Sequence, residues 1–309
     1  MEKFYNDDYY IKEIEKLRRE RRAVILAHNY QRGEIQDLAD INGDSLELSR
    51  KAAQTDARVI VFCGVRFMAE SAAILSPSKT VLLPVPEAGC PLADMITVKG
   101  LREMKGKYPG AAVVSYVNTS AEIKAESDIC CTSTNAIEIV DSLKEDRVIF
   151  VPDENLGRYV ATKTSKEIIF WKGYCPAHYR VLPEDIVKIK QAHPRAKLIV
   201  HPECRLEVIL MADEVLSTGG MIKYAKNSPA EEAEEIIVGT EVGLVYRLQK
   251  ENPHKRFYLA TDKLICPNMK LTTLAKVAQA LKKLQHVIKV PEDIRQKAER
   301  ALKRMLEVV

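Results

Sequence analysis

Residues 23–28 read Ala-Val-Ile-Leu-Ala-His, a short apolar run that ends in a polar side chain. Two later runs have the same form, at residues 111–116 and 196–201. Continuous apolar runs of this length are typical of strands that are buried on both faces of a parallel sheet. The three runs therefore predict the central strands of three similar units.

The spacing around these runs also repeats. Three Cys-Pro dipeptides begin at Cys90, Cys175 and Cys266, at intervals of 85 and 91 residues. Seventeen residues past the end of each apolar run stands a hydroxyl side chain: Ser45, Ser133 and Thr218. Several coincidences of spacing at one period indicate an internal repeat.

Each unit reads as an alternation of helices and short strands. Second strands are predicted at 59–62, 148–151 and 257–260, and extra strands at 80–83 and 168–171. Alternating α and β elements with parallel pairing predict an α/β protein. We expect three similar three-layer αβα domains with parallel sheets, arranged around a pseudo-threefold axis.

The domain boundaries are expected near residues 91, 174 and 265. The predicted units are 1–91, 92–174 and 175–265. Residues 266–309 are left over, and within them 271–290 and 292–309 read as amphipathic helices. These C-terminal helices are expected to fold back and complete the first unit, which lacks a preceding Cys-Pro helix.

The composition excludes several classes of protein. The chain has 309 residues, of which 46% are apolar and 29% charged, and its net charge is +4. This balance argues against a disordered protein and against the basic stripe of a nucleic-acid-binding protein. The longest apolar runs fall far short of the ~20 residues of a membrane helix. We expect a soluble, cytoplasmic protein that binds neither nucleic acid nor membrane.

Polar side chains stand where each predicted central strand ends. They occupy the last position of each run and the second position after it: His28, Tyr30, Tyr116, Asn118, His201 and Glu203. One such residue alone is more often a packing residue than a catalyst. Recurrence in three units favours function, because ligands bind beyond the carboxyl ends of parallel strands. The pattern predicts a single cavity where the three units meet.

The three recurring hydroxyl residues allow two interpretations. Ser45, Ser133 and Thr218 each precede a helical pattern, so each is a candidate N-cap that satisfies a free backbone N–H. The N-terminus of a helix also attracts carboxylates and phosphates, so the same residues suit an anionic substrate. The pair Gly219-Gly220 would allow close backbone approach in the third unit.

The seven cysteines divide into two groups. Four have no partner at ligand spacing and are expected to be packing residues: Cys63, Cys130, Cys131 and Cys204. The three Cys-Pro cysteines suit zinc or an iron–sulfur cluster, with His178 as a candidate fourth ligand for zinc. Three thiolates on a [4Fe-4S] cluster leave one iron without a protein ligand, which favours dehydration chemistry over electron transfer.

The chain resembles the quinolinate synthase family over essentially its whole length. The resemblance is carried by the segments at 27–30 (Ala-His-Asn-Tyr), 89–94, 115–120, 131–135, 151–157, 173–178, 201–204, 217–220 and 266–269. In one departure, the third cysteine lies in Cys-Pro-Asn-Met, where some relatives carry Cys-x-x-Cys. The resemblance implies the same three-domain architecture and an enzyme of de novo NAD biosynthesis.

The family's reaction and site follow as further implications of the resemblance. The reaction condenses iminoaspartate with dihydroxyacetone phosphate to give quinolinate, with an aspartate oxidase or dehydrogenase as the source of iminoaspartate. Cys90, Cys175 and Cys266 would hold a [4Fe-4S] cluster, with Met269 near its open iron. The residues implied to line the reaction cavity are His28, Tyr30, Ser45, Tyr116, Asn118, Ser133, His178, His201, Glu203 and Thr218.

Four of these residues are expected to take part in proton transfer. Glu203 is the one carboxylate among the equivalent strand-end positions, so we expect it to be the general base, with a pKa raised by apolar surroundings. His201 would relay or orient the proton, Tyr116 would polarise a carbonyl, and His28 is a substitute base. The alternative for Glu203 is a structural ion pair with Arg205.

Two other functions remain open from the sequence. An iron–sulfur electron carrier or redox sensor would explain the cysteines, but it predicts a fourth thiolate. A non-catalytic anion-binding protein would explain the hydroxyl residues, but it leaves the cysteines without a role.

Overall fold

The structure, a computed structural model, describes residues 6–229 and 232–308. These residues contain three sheets of four strands, and all neighbouring strands are parallel. The first sheet consists of β1 (Ala23–His28), β2 (Ile41–Gly43), β3 (Val59–Cys63) and β4 (Thr80–Leu82). The second consists of β5 (Ala112–Tyr116), β6 (Ile129–Cys131), β7 (Arg147–Val151) and β8 (Glu167–Phe170). The third consists of β9 (Lys197–Val200), β10 (Glu214–Val215), β11 (Glu235–Gly239) and β12 (Arg256–Leu259).

The three sheets have one strand order. The orders are β2-β1-β3-β4, β6-β5-β7-β8 and β10-β9-β11-β12. This confirms the α/β class and the three similar units, whereas the pseudo-threefold arrangement and the domain boundaries remain predictions. The prediction that residues 257–260 form the second strand of the third unit is wrong. These residues belong to β12, an edge strand that corresponds to β4 and β8. The true counterpart of β3 and β7 is β11, whose apolar run is short and follows two glutamates, so that the sequence did not reveal it.

A hydrogen bond repeated in each unit ties the central strand to its neighbour. Asp40, Asp128 and Asp213 stand just before the second strand of each sheet. Their Oδ2 atoms accept from a backbone N–H of the central strand at 2.8, 2.7 and 2.7 Å. The three aspartates therefore fix the same strand register in all three units.

Helices flank the sheets. Among the described residues they are α1 (Asp7–Arg21), α2 (Gly33–Leu38), α3 (Ser45–Gln54), α4 (Arg66–Leu75), α5 (Val98–Lys107), α6 (Ala121–Ala125), α7 (Ala136–Asp141), α8 (Glu154–Ala161), α9 (Pro176–Tyr179), α10 (Pro183–Ala192), α11 (Leu206–Ile209), α12 (Thr218–Asn227), α13 (Gly243–Glu251), α14 (Leu274–Lys283) and α15 (Glu292–Glu307). Two short 3₁₀ helices cover Ala93–Met95 and Asn268–Leu271. In that part of the chain, no helix is both long and apolar enough to span a membrane.

Helix α14 continues the repeat and packs on the first unit. Helices α5, α10 and α14 each begin eight residues after a Cys-Pro cysteine. Leu274 and Leu281 of α14 pack with Ile14 and Leu17 of α1 in one buried cluster under the first sheet. The helix does not reach residue 290 as predicted, because Leu284 adopts the left-handed conformation and ends it.

Helix α15 lies elsewhere than predicted. The residues before it run along the edge of the first sheet, where Ile288 N–H donates to the Val81 carbonyl at 2.9 Å. The helix itself packs mainly on α6 and β6 of the second unit, with a smaller contact to α4. The prediction that both C-terminal helices complete the first unit is therefore corrected for α15. Its amphipathic pattern identified a buried face but not the surface that covers it.

Candidate active site

A buried cavity lies beyond the carboxyl ends of the central strands. Its free volume is about 70 Å³, and residues of all three units line it. Its lining includes every site residue predicted from the sequence: His28, Tyr30, Ser45, Cys90, Tyr116, Asn118, Ser133, Cys175, His178, His201, Glu203, Thr218, Cys266 and Met269. The structure thus brings these residues together, while the role of each one remains a prediction.

Two equivalent turns orient side chains toward this cavity. The backbone N–H of Tyr30 donates to His28 Nδ1 at 3.2 Å, and that of Glu203 donates to His201 Nδ1 at 3.3 Å. In both turns the strand-end imidazole therefore holds the residue two positions later. Tyr116 occupies the equivalent position in the second unit, where a phenol ring has no such acceptor nitrogen.

Glu203 lies at the centre of a buried polar group. Its Oε2 is 3.0 Å from His178 Nδ1 and 3.2 Å from His201 Nδ1. The two imidazole rings stack with centroids 4.7 Å apart. The amide of Asn118 donates to Glu203 Oε1 at 3.4 Å. The carboxylate of Glu203 thus faces two histidines, and an amide of the second unit donates to it.

Two expectations about Glu203 were wrong. It does not pair with Arg205, whose Nε donates to the Tyr179 carbonyl at 2.8 Å and whose guanidinium lies over the ring of Tyr179. Its pKa is not raised either. Burial acts to raise the pKa of Glu203, but the facing imidazoles of His178 and His201 bring it below its ordinary value. The carboxylate is therefore ionised and is a weaker base than the sequence predicts.

Burial sets the charge state of the other titratable groups in the cavity. Desolvation, followed by the proximity of His201, lowers the pKa of His28 to about 3, so this imidazole is neutral near pH 7. Burial and the charge of Glu203 raise the pKa values of Tyr30 and Tyr116 well above their ordinary value. The two phenols therefore keep their protons.

The prediction that Ser45, Ser133 and Thr218 are N-caps is wrong, because other residues occupy the N-cap positions of these helices. Asp44 caps α3 by accepting from the Glu47 N–H at 2.9 Å, and Ser217 caps α12 by accepting from the Gly220 N–H at 3.1 Å. Ser45 and Thr218 are consequently the first residues inside their helices.

The third hydroxyl residue is not an N-cap either. Ser133 lies two residues before Asn135, which occupies the N-cap position of α7. Its Oγ is 3.2 Å from His201 Nε2, and the Oγ1 of Thr218 accepts from the Asn29 amide at 3.0 Å. The hydroxyl groups of Ser133 and Thr218 therefore contact side chains within or beside the cavity instead of helix ends.

A hydrogen-bonded cluster closes one side of the cavity. Thr134 Oγ1 is 2.9 Å from Asp44 Oδ2 and 2.9 Å from Ser217 Oγ, so one residue from each unit meets there. An outer pocket of about 520 Å³ shares lining residues with the cavity, namely Asp44, Ser133 and Thr134. Basic side chains of Lys51 and Lys223 are among the residues of the outer pocket.

The three Cys-Pro cysteines line the cavity as half-buried free thiols. Burial raises the pKa of each of them, to about 12 for Cys90. Of the cysteines in the described chain, the other four are fully buried and do not line it: Cys63, Cys130, Cys131 and Cys204. Three sulfur donors therefore face one space.

Two buried carboxylates hold the loops of these cysteines. Asp153 Oδ2 accepts from the Cys175 N–H at 3.2 Å, and Glu241 Oε1 accepts from the Cys266 N–H at 3.1 Å. Both acids stand two residues after the end of the third strand of a sheet, β7 or β11, and both are fully buried. Lys270 neutralises Glu241 at 2.9 Å. The sequence did not reveal either acid, because Val65 occupies the equivalent position in the first unit.

The positions of the donor atoms show which residues could bind a single metal ion. Within the described ranges, one trio has donor atoms close enough for a metal ion, namely Cys175, His178 and Glu203, with all three within 4.8 Å of one another. The three cysteines do not form such a trio. Zinc–sulfur bonds of about 2.3 Å place the sulfurs around one zinc ion within roughly 4 Å. The three sulfurs therefore do not surround a single zinc ion in this structure.

Comparison with known proteins shows which family this chain resembles. The family model of NadA, quinolinate synthetase A protein, matches residues 12–307. The chain is 60% identical over 296 residues to a quinolinate synthase of Dehalococcoides mccartyi, covering 96% of this chain and 97% of the relative. The chain belongs to the quinolinate synthase family.

More distant members of the quinolinate synthase family match over the same range. The chain is 57% identical to quinolinate synthase 1 of Methanosarcina acetivorans over 298 residues, and to the quinolinate synthase of Geotalea uraniireducens over 296. Each match covers 96% of this chain and at least 96% of the relative. The resemblance inferred from the motifs and the expectation of an enzyme are confirmed, and the alternative of a redox protein is not favoured.

Proposed function

We propose that the chain condenses iminoaspartate with dihydroxyacetone phosphate and releases quinolinate, inorganic phosphate and two water molecules. The observation that carries the proposal is the cavity, in which all predicted site residues from the three units converge. Membership of the quinolinate synthase family supports the same reaction. A cytoplasmic location and an aspartate oxidase or dehydrogenase as the source of iminoaspartate belong to this proposal.

Cys90, Cys175 and Cys266 are proposed to hold a [4Fe-4S] cluster. This choice is supported by three cysteines that do not meet at one ion site, two of which, Cys175 and Cys266, lie in loops held by buried carboxylates. When bound, a cluster with three protein ligands supplies an iron that acts as a Lewis acid toward a substrate oxygen and helps a hydroxyl group to leave.

The hydroxyl residues are proposed to bind the anionic groups of the substrates, which carry two carboxylates and a phosphate. Ser45 and Thr218 stand in the first turns of α3 and α12, where free backbone N–H groups and the helix dipole attract negative charge. Because Asp44 and Ser217 already serve as the N-caps, these hydroxyls are available to a ligand.

Proton transfer is proposed to centre on Glu203. Its carboxylate faces the cavity and lies within hydrogen-bond distance of two imidazoles. A proton taken from a substrate carbon can be held on Glu203 Oε2 and shared with His178 or His201. Tyr116 keeps its phenolic proton and is suited to donate a hydrogen bond to a substrate carbonyl.

The test begins with protein purified without oxygen. Iron, acid-labile sulfide and zinc are measured per chain, and iminoaspartate and dihydroxyacetone phosphate are then added while quinolinate is followed by chromatography. We expect about four irons and four sulfides per chain for a [4Fe-4S] cluster, and formation of quinolinate. Zinc without sulfide would point to the trio of Cys175, His178 and Glu203 and would contradict the cluster. A full cluster with no product would contradict the reaction.

A further inference from the structure

Asn29 connects the first sheet to two helices of the third unit. It follows directly after β1 and is fully buried. Its amide nitrogen Nδ2 donates to Thr218 Oγ1 at 3.0 Å, and its Oδ1 accepts from Arg247 Nη1 at 2.8 Å. The equivalent residues of the other two units are Val117 and Pro202, which have no amide side chain. Thr218 lines the cavity and Asn29 does not, so Asn29 contacts the site without facing the substrate space.

The chemistry of arginine fixes the direction of both hydrogen bonds. A guanidinium has N–H donors and no acceptor, and it does not lose its proton in proteins. The atom of Asn29 that faces Arg247 must therefore be the amide oxygen. The amide NH2 group then faces Thr218, and because this group only donates, the hydroxyl oxygen of Thr218 accepts. Neither direction depends on a group that titrates near neutral pH.

Other contacts hold Asn29 and Arg247 in place. The backbone N–H of Asn29 donates to the Gly43 carbonyl at 3.1 Å, and the Asn29 carbonyl accepts from Gln36 Nε2 at 3.3 Å. Arg247 Nε donates to Glu251 Oε1 at 2.6 Å. A reversed amide would place its NH2 group against the guanidinium, so the observed orientation of Asn29 is the one that these neighbours allow.

The hydroxyl of Thr218 keeps its proton for a ligand. A hydroxyl group has one O–H donor and two lone pairs, and Asn29 uses one of the lone pairs. Within the part of the chain that the structure describes, Asn29 is the one hydrogen-bond partner of this hydroxyl. Thr218 is buried and lines the cavity. Its proton is therefore left to whatever occupies the cavity.

We propose that Asn29, held by Arg247, is a positioning residue that makes the Thr218 hydroxyl a hydrogen-bond donor toward an anionic group of the substrate. Hydrogen bonds from a hydroxyl to an ionised oxygen are among the strong ones. An orientation that is fixed before the substrate arrives also lowers the entropic cost of binding. The inference rests on the proposed function, because it assigns a supporting residue to the proposed anion contact of Thr218.

The first test uses Asn29→Asp, which keeps the shape of the side chain and an acceptor for Arg247. A carboxylate only accepts, so Thr218 must donate its proton to the new carboxylate and loses it for the substrate. We expect the KM of one of the two substrates to rise by about 5- to 150-fold, as in Thr218→Val, with kcat and iron content close to wild type. A wild-type KM in Asn29→Asp would overturn the proposal. If Thr218→Val also had a wild-type KM, the proposed anion contact would fail with it.

A double variant separates the hydrogen bond from the added negative charge. When Asn29→Asp is combined with Thr218→Val, the hydroxyl is absent and its direction no longer matters. We therefore expect a KM no higher than in Thr218→Val alone. Effects that multiply in the double variant would show that the two residues act independently, and would overturn the proposal.

The matched control is Asn252→Asp. Asn252 is also buried, and its amide donates to the Leu248 carbonyl at 3.0 Å, at the end of the helix that carries Arg247. We expect a lower melting temperature and an unchanged KM. A rise in KM equal to that of Asn29→Asp would show that any buried Asn-to-Asp change weakens binding, and would overturn the proposal.

The second measurement needs neither turnover nor a variant. Crystals of the full-length, perdeuterated wild-type protein are examined by neutron diffraction, which distinguishes the amide oxygen from the ND2 group and locates the hydroxyl deuterium. We expect the ND2 group of Asn29 to face Thr218 and the deuterium of Thr218 to point away from Asn29. A hydroxyl deuterium between the two residues would overturn the proposal. If the wild-type protein forms no quinolinate, the proposed function fails, and this measurement still tests Asn29.

Discussion

Glu203 Oε2 lies 3.0 Å from His178 Nδ1, and the two side chains are 4% and 1% exposed. A buried carboxylate in this position depends on its hydrogen-bond partners to stabilise its charge. A carboxylate that is ionised and held in one orientation is suited to accept a proton from a bound substrate. The first prediction follows from this contact.

Replacing Glu203 by Gln is expected to slow quinolinate formation by at least about 10²-fold, the usual loss when a general base is removed. The amide keeps the shape of the side chain, so the fold and the cluster absorbance should be unchanged. Initial rates and the visible spectrum are measured on the same sample. Near-normal turnover with an intact spectrum would transfer the role of base to His201 or His28.

Replacing Cys90, Cys175 or Cys266 by Ala is expected to remove the cluster absorbance and all activity, because the cluster would lose one of three protein ligands. The matched control is Cys204→Ala, since this buried thiol packs in the third unit and donates only to the Gly239 carbonyl, at 3.4 Å. That variant should lose stability alone. A full cluster in Cys266→Ala would show that another group is the third ligand.

Replacing Thr218 by Ala is expected to raise KM. A hydroxyl that contacts a charged ligand group contributes ~1–3 kcal/mol, which is about 5- to 150-fold in binding. The control is a variant of the neighbouring residue Ser217, the N-cap of α12. Ser217→Ala should lower the free energy of unfolding by ~1 kcal/mol, as expected on loss of an N-cap. KM and the melting temperature are measured for both variants, and a cap-like loss of stability in Thr218→Ala with unchanged KM would refute the assignment.

Acid is expected to destabilise the protein through His28. Burial lowers the pKa of His28 from 6.5 to about 3. Between these pH values the unfolded chain binds a proton at this residue and the folded chain does not, so stability falls as the pH falls from 6.5 toward 3. The melting temperatures of wild type and His28→Gln are compared across this range. The variant should show a shallower decline, and parallel curves would contradict the prediction.

Replacing Glu241 by Ala is expected to reduce iron loading, because the Cys266 N–H loses its acceptor and Lys270 loses its counter-ion. Partners outside the ligand shell typically contribute 10–100-fold to metal affinity. Iron per chain is measured after reconstitution with limiting iron. Glu154→Ala, which removes a half-buried carboxylate paired with Arg158, is the control and should load fully. Equal loading of the two variants would remove Glu241 from this role.

The repeat explains which parts of the site the sequence could reveal. His28, Tyr116 and His201 end equivalent strands, so that their recurrence separated them from ordinary packing residues. Asp153 and Glu241 carry no such signal, because Val65 holds the equivalent position in the first unit. These two residues become visible only when the strand ends of separate units are brought together in space.

The pKa of Glu203 illustrates a second limit. The sequence indicated a carboxylate in apolar surroundings, and burial alone would have raised its pKa. His178 reverses the direction, because it enters from α9, 25 residues earlier in the chain. Likewise, the pattern of α15 showed that one face is buried but not that α6 covers it. Contacts between residues that are distant in the sequence decide both outcomes.

The packing of α14 against α1 sets an order of events during synthesis. A ribosome completes β1 to β4 early, but Ile14 and Leu17 stay uncovered until Leu274 and Leu281 have been made. The unit that is translated first is consequently finished last. A chain truncated before α14 would present an apolar surface on its N-terminal unit, and such surfaces on incomplete chains promote aggregation.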